Sequence, residues 1–423
     1  MRPGPALAFP TLFALLSGAP LAAQAPEPEA APPAAGLESL LAPFVHELTT
    51  VAGAALEGPG AARLRTAAEA AHFFLLGEQH ATAEIAELAT GLYRTVAPLG
   101  YRHASIEVGP VAARRLEGLL RDDDPEALAG YFAEDNNLFT IPFFFFREEA
   151  AFARVVAEES PAPAPVLWGI DQEFIAGAPL VLDRLEELAT LEGERTAIAA
   201  AREAAAANPM FLGAAPEEQV TALATAFAGS ESPEARDLAE QVLATHRIYA
   251  PFTGRGGSVW IANDERERLM KRLFLRRYRE ERERDGQAPR VFVKLGANHL
   301  VRGLSPTHVL SLGTFLHELA VAEDVEAYTL HVDCRGGEAM DIQAGGPAPC
   351  TSYFLGPDSV LSGALPADRT VLVDLRALRS EHEILQLLDE TSRDLVWSFD
   401  GYVSVPDTRP ATLFEGSAPD LGN

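Results

Sequence analysis

The sequence has few basic side chains and lacks the short motifs of several enzyme classes. Its 423 residues include 34 Lys and Arg against 61 Asp and Glu, a formal net charge of −27. So acidic a chain repels phosphate backbones, which disfavours nucleic acid as a partner. The basic run within Asp264–Ala297 has interleaved Glu and is typical of a solvated helix face. No phosphate-binding glycine loop, GxSxG turn or HExxH helix occurs, which argues against a serine hydrolase or zinc protease of standard pattern.

Cysteine is scarce as well. Cys334 and Cys350 are the two cysteines of the chain, and they bracket a Gly-rich stretch. In an oxidising compartment such a pair predicts a disulfide that closes this loop, and the alternative is two unpaired thiols. No CxxC or Cys-x-His spacing accompanies them, so neither is expected to be a metal ligand or a nucleophile.

The first residues have the pattern of an exported protein. Arg2 precedes an apolar run, and small residues follow, ending in Ala23-Gln24-Ala25. This predicts a signal peptide over residues 1–25, with cleavage after Ala23 as an alternative, and a Pro/Ala-rich linker over residues 26–36. The run is shorter than the roughly 20 residues that span a bilayer. We therefore expect a periplasmic or secreted protein with no stable membrane span after cleavage.

The rest of the chain has the pattern of an α/β protein. Half of the residues are apolar and 22% are charged, which is typical of a globular protein. Short apolar runs bounded by Gly and separated by helical stretches indicate buried strands. The four clearest predicted strands are His72–Leu76, Arg102–Ile106, Val166–Ile170 and Arg290–Leu295.

Helical patterns cover Thr82–Leu99, Val111–Arg121 and, loosely, Leu37–Arg65. Residues 179–283 are rich in Ala, Glu, Leu and Arg and predict a helical insertion of about a hundred residues that could cap the sheet. Towards the end we predict strands at Val325–Val332 and Arg369–Leu375, a helix at Glu381–Thr391, and a segment Trp397–Val405 that closes the sheet. Residues 37–423 are thus expected to form one α/β domain with a central, mainly parallel or mixed sheet flanked by helices.

Acidic and histidine side chains follow the four predicted strands. In open α/β sheets ligands bind beside the carboxyl ends of the strands, so these side chains are expected to meet in one cleft. Carboxylates and imidazoles together can do general acid–base chemistry or hold a divalent metal. The residues at these strand ends are Glu78, His80, Glu107, Asp171 and His299.

Structural interpretations remain open for Glu78, His80 and Glu107. Glu78 could cap the following helix and His80 could be a turn residue, while Glu107 could balance a buried cation such as Arg102 or Arg266.

Three further features allow two interpretations. Asp171 could cap the next segment, and His246 could reach the site from the insertion. Phe143–Phe146 are expected in the core, or as an apolar wall of the cleft. The other histidines are interpreted as surface or structural residues: His46, His72, His103, His308, His317, His331 and His382.

Several segments, in this order, resemble the erythromycin esterase-like group, which shares a superfamily with ChaN-like haem-binding proteins and Tiki/TraB proteins. They are FFLLGEQH, ASIEVG, IPFFFFREEAAF, WGIDQEF, RERLM (Arg266–Met270), VFVKLGANHLVRG and FDGYVSV. The resemblance implies an α/β fold with an acidic, histidine-rich cleft.

The resemblance also implies hydrolysis of an ester by activated water, with a small-molecule or peptide substrate. His80 would be the general base, and Glu78 and Glu107 would orient it or stabilise charge. His299 and Arg266 would polarise the carbonyl or hold the oxyanion. In Tiki-type members a comparable set depends on a divalent metal, for which His80, Glu107 and His299 are the candidate ligands here.

One departure keeps a second function open. Esterases of this group read GExxHG, whereas Gly77-Glu78-Gln79-His80 has one residue between Glu and His, as in the ChaN-like branch. The leading hypothesis is an exported hydrolase that cleaves an ester or amide. The alternatives are a haem- or metal-binding protein without catalysis, and a structural relative whose site has decayed.

Overall fold

The computed structural model describes residues 36–134, 137–160, 163, 165–342, 344–356 and 358–414. The predicted signal peptide, and the predicted linker except Gly36, lie outside the described residues.

Ten strands occur within the described ranges, and eight of them form one sheet in the order β1-β9-β10-β6-β2-β5-β3-β4. The pairs from β10 to β4 are parallel, whereas β9 pairs antiparallel with both β1 and β10. The predicted α/β fold with a mainly parallel, mixed sheet is therefore confirmed. The strands are β1 Val45–Glu47, β2 Ala71–Glu78, β3 Tyr101–Ile106, β4 Leu167–Gly169, β5 Arg290–Gly296, β6 Glu326–Cys334, β7 Glu338–Asp341, β8 Gly346–Pro349, β9 Val371–Val373 and β10 Gly401–Val405.

Helices cover both faces of this sheet. The first group is α1 Leu37–Leu41, α2 Gly58–Ala70, α3 Ala83–Val96, α4 Pro110–Leu120, α5 Ala127–Ala133 and α6 Arg147–Glu159. The second is α7 Ala178–Leu188, α8 Glu192–Ala207, α9 Phe211–Ala214, α10 Glu217–Phe227, α11 Pro233–Tyr249 and α12 Val259–Asp285. The last is α13 Leu312–Ala322, α14 Val360–Ala364, α15 Leu375–Leu378, α16 His382–Leu387 and α17 Glu390–Ser398.

The central strands read as continuous apolar runs because both of their faces are buried. Along β2, Phe74 and Leu76 pack in the core that includes α3 and α6, while Phe73 and Leu75 pack against α12 and α13. Successive side chains of a strand point to opposite faces, so one apolar segment fills both layers. This burial fixes β2 and its neighbour β5 in the middle of the molecule, and it fixes where their carboxyl ends lie.

The predicted helical insertion corresponds to α7–α12. Helices α7–α11 pack around an apolar core of their own, which includes Leu182, Phe211 and Val242. The insertion also contributes to the sheet edge itself, because the side chains of Arg266 and Glu267 on α12 are buried and contact Glu107 and His299, respectively.

Three sequence predictions are corrected. Leu37–Arg65 is not simply helical, because it contains the edge strand β1, whose three residues are too few to show a period. The helix predicted at Glu381–Thr391 is two helices, α16 and α17, and α17 extends to Ser398. The last strand, β10, does not close the sheet at an edge, since it lies between β9 and β6.

The predicted disulfide between Cys334 and Cys350 is present. It joins the end of β6 to the residue that follows β8. None of the helices in the described part of the chain is both long and apolar enough to cross a membrane.

Candidate active site at the carboxyl ends of the central strands

Strands β2, β5 and β3 are neighbours and run parallel, so their carboxyl ends meet at one edge of the sheet. Glu78 is the last residue of β2, and Glu107 directly follows β3. His299 lies in the 3₁₀ turn Ala297–His299 that follows β5. The structure therefore brings together the side chains that the sequence placed at these three strand ends, as expected for the ligand edge of an open sheet.

Glu78 and His80 form a first carboxylate–imidazole pair. His80 Nδ1 lies 3.1 Å from Glu78 Oε1, and the Glu78 side chain is buried. The imidazole stacks on the ring of Phe143, with 4.2 Å between centroids. Phe143 has a φ of 68°, an uncommon conformation for a bulky side chain, so its placement over His80 is held by its surroundings. The predicted burial of Phe143–Phe146 is confirmed, and the first of these residues also forms a wall of the site.

His299 and Glu267 form a second pair, which sequence analysis missed. His299 Nδ1 lies 2.6 Å from Glu267 Oε1, and Glu267 is 3% exposed. In such a pair the carboxylate fixes the proton on Nδ1, so that Nε2 is the nitrogen available for chemistry. The same reasoning applies to Glu78 and His80.

Glu107 lies between the two imidazoles. His80 Nε2 is 3.4 Å from its Oε2, and His299 Nε2 is 3.4 Å from its Oε1. Both distances exceed the approximately 2.7–3.2 Å of a good N–H···O hydrogen bond. Within the described residues no atom makes a well-aligned hydrogen bond to His80 Nε2, although this nitrogen is buried. Glu107 itself is held by the Gly296 N–H at 2.6 Å and by Arg266 Nη2 at 2.9 Å.

Two carboxylates bind Arg266. Besides Glu107, its guanidinium binds Asp171 through Nη2 at 2.5 Å and through Nε at 3.0 Å. Only 5% of the Arg266 side chain is exposed. Asp171 does not cap a helix, because the next helix begins at Ala178, so its partner is Arg266. The interpretation of Glu107 as the counter-ion of Arg266 matches these contacts, whereas Arg102 is not its partner.

Lys294 and Glu149 extend the site below Glu78. Lys294 Nζ lies 2.5 Å from Glu78 Oε1 and 2.6 Å from Glu149 Oε2, and all three side chains are buried. With Lys271, Lys294 is one of two lysines in the sequence. A lone lysine inside an apolar strand signals a buried ion pair, since lysine is almost never buried without a partner. That signal was available in the sequence, although its partners were not.

These contacts change the protonation behaviour of the site. Burial by itself lowers the pKa of His80, but Glu107 and Glu78 raise it to about 9. Burial and Arg266 lower the pKa of His299, yet Glu107 and Glu267 raise it to about 9.

The carboxyl groups respond in opposite directions. Burial raises the pKa of Glu78 and of Glu107, but Lys294 and His80 together outweigh it for Glu78, and His299 and His80 together outweigh it for Glu107. The pKa of both groups therefore lies below the usual range. Burial and the charge of Glu78 raise the pKa of Glu149 to about 7. Both imidazoles thus carry protons at neutral pH, beside ionised carboxylates.

The other histidines have different partners, although His331 lies next to the site, where its Nδ1 is 3.0 Å from the Gly77 carbonyl oxygen. His246 is buried on α11, where Nδ1 binds the Leu212 carbonyl and Nε2 contacts Arg255. His331 is fully buried beside Asp333, and the remaining ones hold structural or surface positions as predicted.

The arrangement does not match the predicted divalent-metal alternative. Both oxygens of Glu107 are engaged, one by Arg266 and one by the Gly296 N–H. Across the residues that the structure describes, no group of three or more His, Cys, Asp or Glu side chains could hold a metal ion. The candidate ligands His80, Glu107 and His299 therefore do not form a metal site in this arrangement.

The fold is similar to that of solved proteins. A mutant of erythromycin esterase EreC in its open conformation is 16% identical, with a TM-score of 0.57, covering 84% of this chain and 95% of its own. A Bacillus cereus protein is 12% identical, with a TM-score of 0.57, covering 90% and 99%. A succinoglycan biosynthesis protein is 12% identical, with a TM-score of 0.56, covering 89% and 98%.

No family model matches the sequence, and a search of curated proteins finds no match. The structural similarities nevertheless confirm, for the fold, the predicted resemblance to the erythromycin esterase-like group.

Proposed function

We propose that this protein is a hydrolase that cleaves an ester or amide bond with water. The observation that carries the proposal is the pair of carboxylate–imidazole dyads, Glu78–His80 and Glu267–His299, whose Nε2 atoms both face Glu107 at 3.4 Å. Two imidazoles of raised pKa beside one carboxylate can exist with one proton removed, which provides a base and an acid at the same site. The shared fold with erythromycin esterase EreC supports this reaction class.

In the proposed reaction His80, in its neutral form, takes a proton from water at Nε2. The resulting hydroxide adds to the carbonyl carbon of the substrate. The His299 imidazolium donates a hydrogen bond to the carbonyl oxygen as negative charge develops there. When the tetrahedral intermediate collapses, the bond to the leaving group breaks, and the protonated His80 returns its proton to the departing oxygen or nitrogen.

The other residues position this pair. Glu78 and Glu267 hold the Nδ1 protons and stabilise the charged imidazoles. Glu107 stabilises positive charge between them, and Arg266 and the Gly296 N–H fix its two oxygens. Because Arg266 is buried and bound to Glu107 and Asp171, we assign it to positioning Glu107 and not to contact with the substrate.

The test is a hydrolysis assay of the mature protein against a panel of p-nitrophenyl esters, lactones and anilides. With a substrate in hand, His80→Asn and His299→Asn should each lower kcat by about 10²–10⁴-fold, the usual contribution of a general acid or base. His382→Asn, which changes an exposed histidine outside the site, is the matched control and should keep the wild-type rate. Full turnover by His80→Asn would refute the assignment.

The second candidate is a ChaN-like haem-binding protein without catalysis. It rests on the single residue between Glu78 and His80 and is independent of the dyads. Stoichiometric haem binding with a Soret band that is lost in His80→Ala, together with no turnover of the panel, would favour it. A colourless protein after haem titration would count against it.

We also propose that the protein is periplasmic or secreted. The amino-terminal sequence pattern and the Cys334–Cys350 disulfide support this, because disulfides persist in oxidising compartments. Mass spectrometry of the protein from cell fractions tests it. A mature chain that begins after Ala23 or Ala25 in the exported fraction is expected, and an unprocessed cytoplasmic chain would contradict the proposal.

A further inference from the structure

The disulfide lies directly against the turn that carries His80. Gln79 is the residue between the two members of the first dyad. Its side-chain Nε2 lies 3.2 Å from Cys350 Sγ and donates to the Thr351 carbonyl at 3.1 Å. Its Oε1 lies 3.3 Å from Cys334 Sγ. The side chain of Gln79 is thus seated between both halves of the disulfide.

The residues that follow the disulfide also reach the turn that carries His299. Asn298 precedes His299, and its Nδ2 donates to the Tyr353 hydroxyl at 2.7 Å. One short stretch, residues 350–353, therefore contacts the neighbour of each histidine. We call this stretch the clamp segment.

The clamp segment is anchored on a buried carboxylate at the end of β6. Asp333 Oδ2 accepts hydrogen bonds from the Ser352 hydroxyl and, at 3.0 Å, from the Tyr353 N–H. Asp333 is fully buried, and its Oδ2 also lies 3.3 Å from His331 Nε2. The covalent anchor is next to it, since Cys334 is the residue after Asp333. A non-covalent and a covalent tie thus fix the clamp segment to the same strand end.

We propose that the clamp segment sets the relative position of the two histidine-bearing turns, with Gln79 and Tyr353 as positioning residues and the Cys334–Cys350 disulfide as the bond that holds the segment in place. This inference rests on the proposed function, because it assigns the segment a part in that hydrolysis. Neither residue contacts the reacting atoms. Reduction by a dithiol transfers two electrons to the disulfide and gives two cysteine thiols plus the oxidised dithiol. The side chain of Gln79 is then no longer held between two bonded sulfur atoms.

The test compares the oxidised protein with the protein reduced by dithiothreitol, and adds Tyr353→Phe and the double variant Cys334→Ser with Cys350→Ser. Reduction and the double variant should each lower kcat on the order of 10²-fold, because misplacing catalytic groups by about 1 Å costs that much. Tyr353→Phe should lower kcat by about tenfold, the size of one hydrogen bond, and leave KM within twofold. Dithiothreitol should have no further effect on the double variant.

The matched control is Tyr93→Phe. It removes a buried tyrosine hydroxyl that binds the Tyr101 carbonyl on the helical layer away from the site, and it should leave kcat unchanged. If reduction unfolds the protein, Tyr353→Phe decides the question, because it deletes a single oxygen. An unchanged kcat in Tyr353→Phe, or a loss that falls on KM alone, would overturn the proposal.

A second measurement tests the role of the clamp segment independently of the proposed hydrolase activity. The imidazole NMR signals of His80 and His299, assigned by single substitutions, should shift on reduction and in Tyr353→Phe, while the signal of exposed His382 should not. Shifted signals in a protein that hydrolyses nothing would support the positioning role of the clamp segment and refute the proposed function. An active protein whose two signals and kcat are unchanged by reduction would support the proposed function and refute the positioning role of the clamp segment.

Discussion

At the scale of single residues, the site depends on ionised groups that are buried and paired. Lys294 Nζ and His80 Nδ1 both contact the same carboxylate oxygen, Oε1 of Glu78. Removing one partner of such a group leaves a charge in a medium that solvates it poorly, which costs more than the pair contributes. The residues that bear on the chemistry therefore also bear on stability, and the two effects must be measured separately.

Lys294→Met tests this dependence. It leaves the carboxylates of Glu78 and Glu149 buried without their cation, so the free energy of unfolding should fall by about 3–5 kcal/mol. Chemical denaturation at pH 7 measures it. Lys271→Met, at the half-buried second lysine of the chain, is the matched control and should cost less than 1 kcal/mol. A loss in Lys294→Met no greater than in the control would show that Glu78 does not need this partner.

The pH dependence of turnover follows from the two histidines. Because the pKa of His80 and of His299 is raised to about 9, the neutral imidazole that acts as base is scarce at neutral pH. The rate should rise by about tenfold per pH unit from pH 7, reach a maximum near 9, and fall above it as the His299 imidazolium loses its proton. A pH–rate profile of kcat/KM measures this, and a plateau that begins near 6.5 would mean that the base is an unperturbed histidine or another group.

At the scale of elements, the end of β5 is where backbone and side chains come closest. Gly296 has an ordinary φ of −53°, so a side chain is excluded there by lack of space and not by the backbone conformation. A Cβ there would lie 2.7 Å from His80 Nε2 and 3.2 Å from Glu107 Oε2. Helix α12 contributes at the same place, since consecutive residues Arg266 and Glu267 bind Glu107 and His299, respectively. The strand end and the helix together fix the distance between the dyads.

Gly296→Ala should displace His80 and lower kcat on the order of 10²-fold, since small misplacements of catalytic groups have effects of that size. Turnover with a substrate from the panel measures it, alongside the melting temperature. Gly118→Ala is the control. Gly118 lies within α4, and a Cβ there meets nothing within 4 Å, so kcat should be unchanged and stability should rise by up to about 1 kcal/mol. Equal kcat in both variants would show that the strand end tolerates a methyl group.

At the scale of the whole molecule, protonation of the site is linked to folding. The pKa of His80 and His299 is about 9 in the folded state, above the ordinary 6.5, so the folded chain binds more protons than the unfolded chain between these values. The resulting stability is fully present below pH 6.5 and is lost as the pH rises through 9.

The free energy of unfolding should therefore fall between pH 6.5 and 9.5, as measured by denaturant titration at fixed ionic strength. His80→Asn combined with His299→Asn should flatten this slope, because the linked protons are gone. A wild-type stability that is constant or rises over this range would contradict the raised pKa of the pair.

The sequence by itself determined the α/β architecture, the strands β2, β3, β4 and β5, the helical insertion and the disulfide. These follow from local properties, since an apolar run of strand length or a pair of cysteines at short separation can be recognised without knowing the tertiary structure. It also indicated which strand ends would carry Glu78, His80, Glu107 and His299, because parallel strands place their carboxyl ends at one edge.

Only the tertiary structure decided which charges meet. Glu149 and Lys294 are 145 residues apart, Glu78 and Lys294 are 216 apart, and Glu267 and His299 come together from a helix and a turn 32 apart. No periodicity encodes such pairings, because the hydrophobic pattern fixes which face of an element is buried but not which polar groups are buried with it. The second dyad, the lysine beneath Glu78 and the enclosed position of Arg266 emerge from packing because buried charges must find partners wherever the fold brings them.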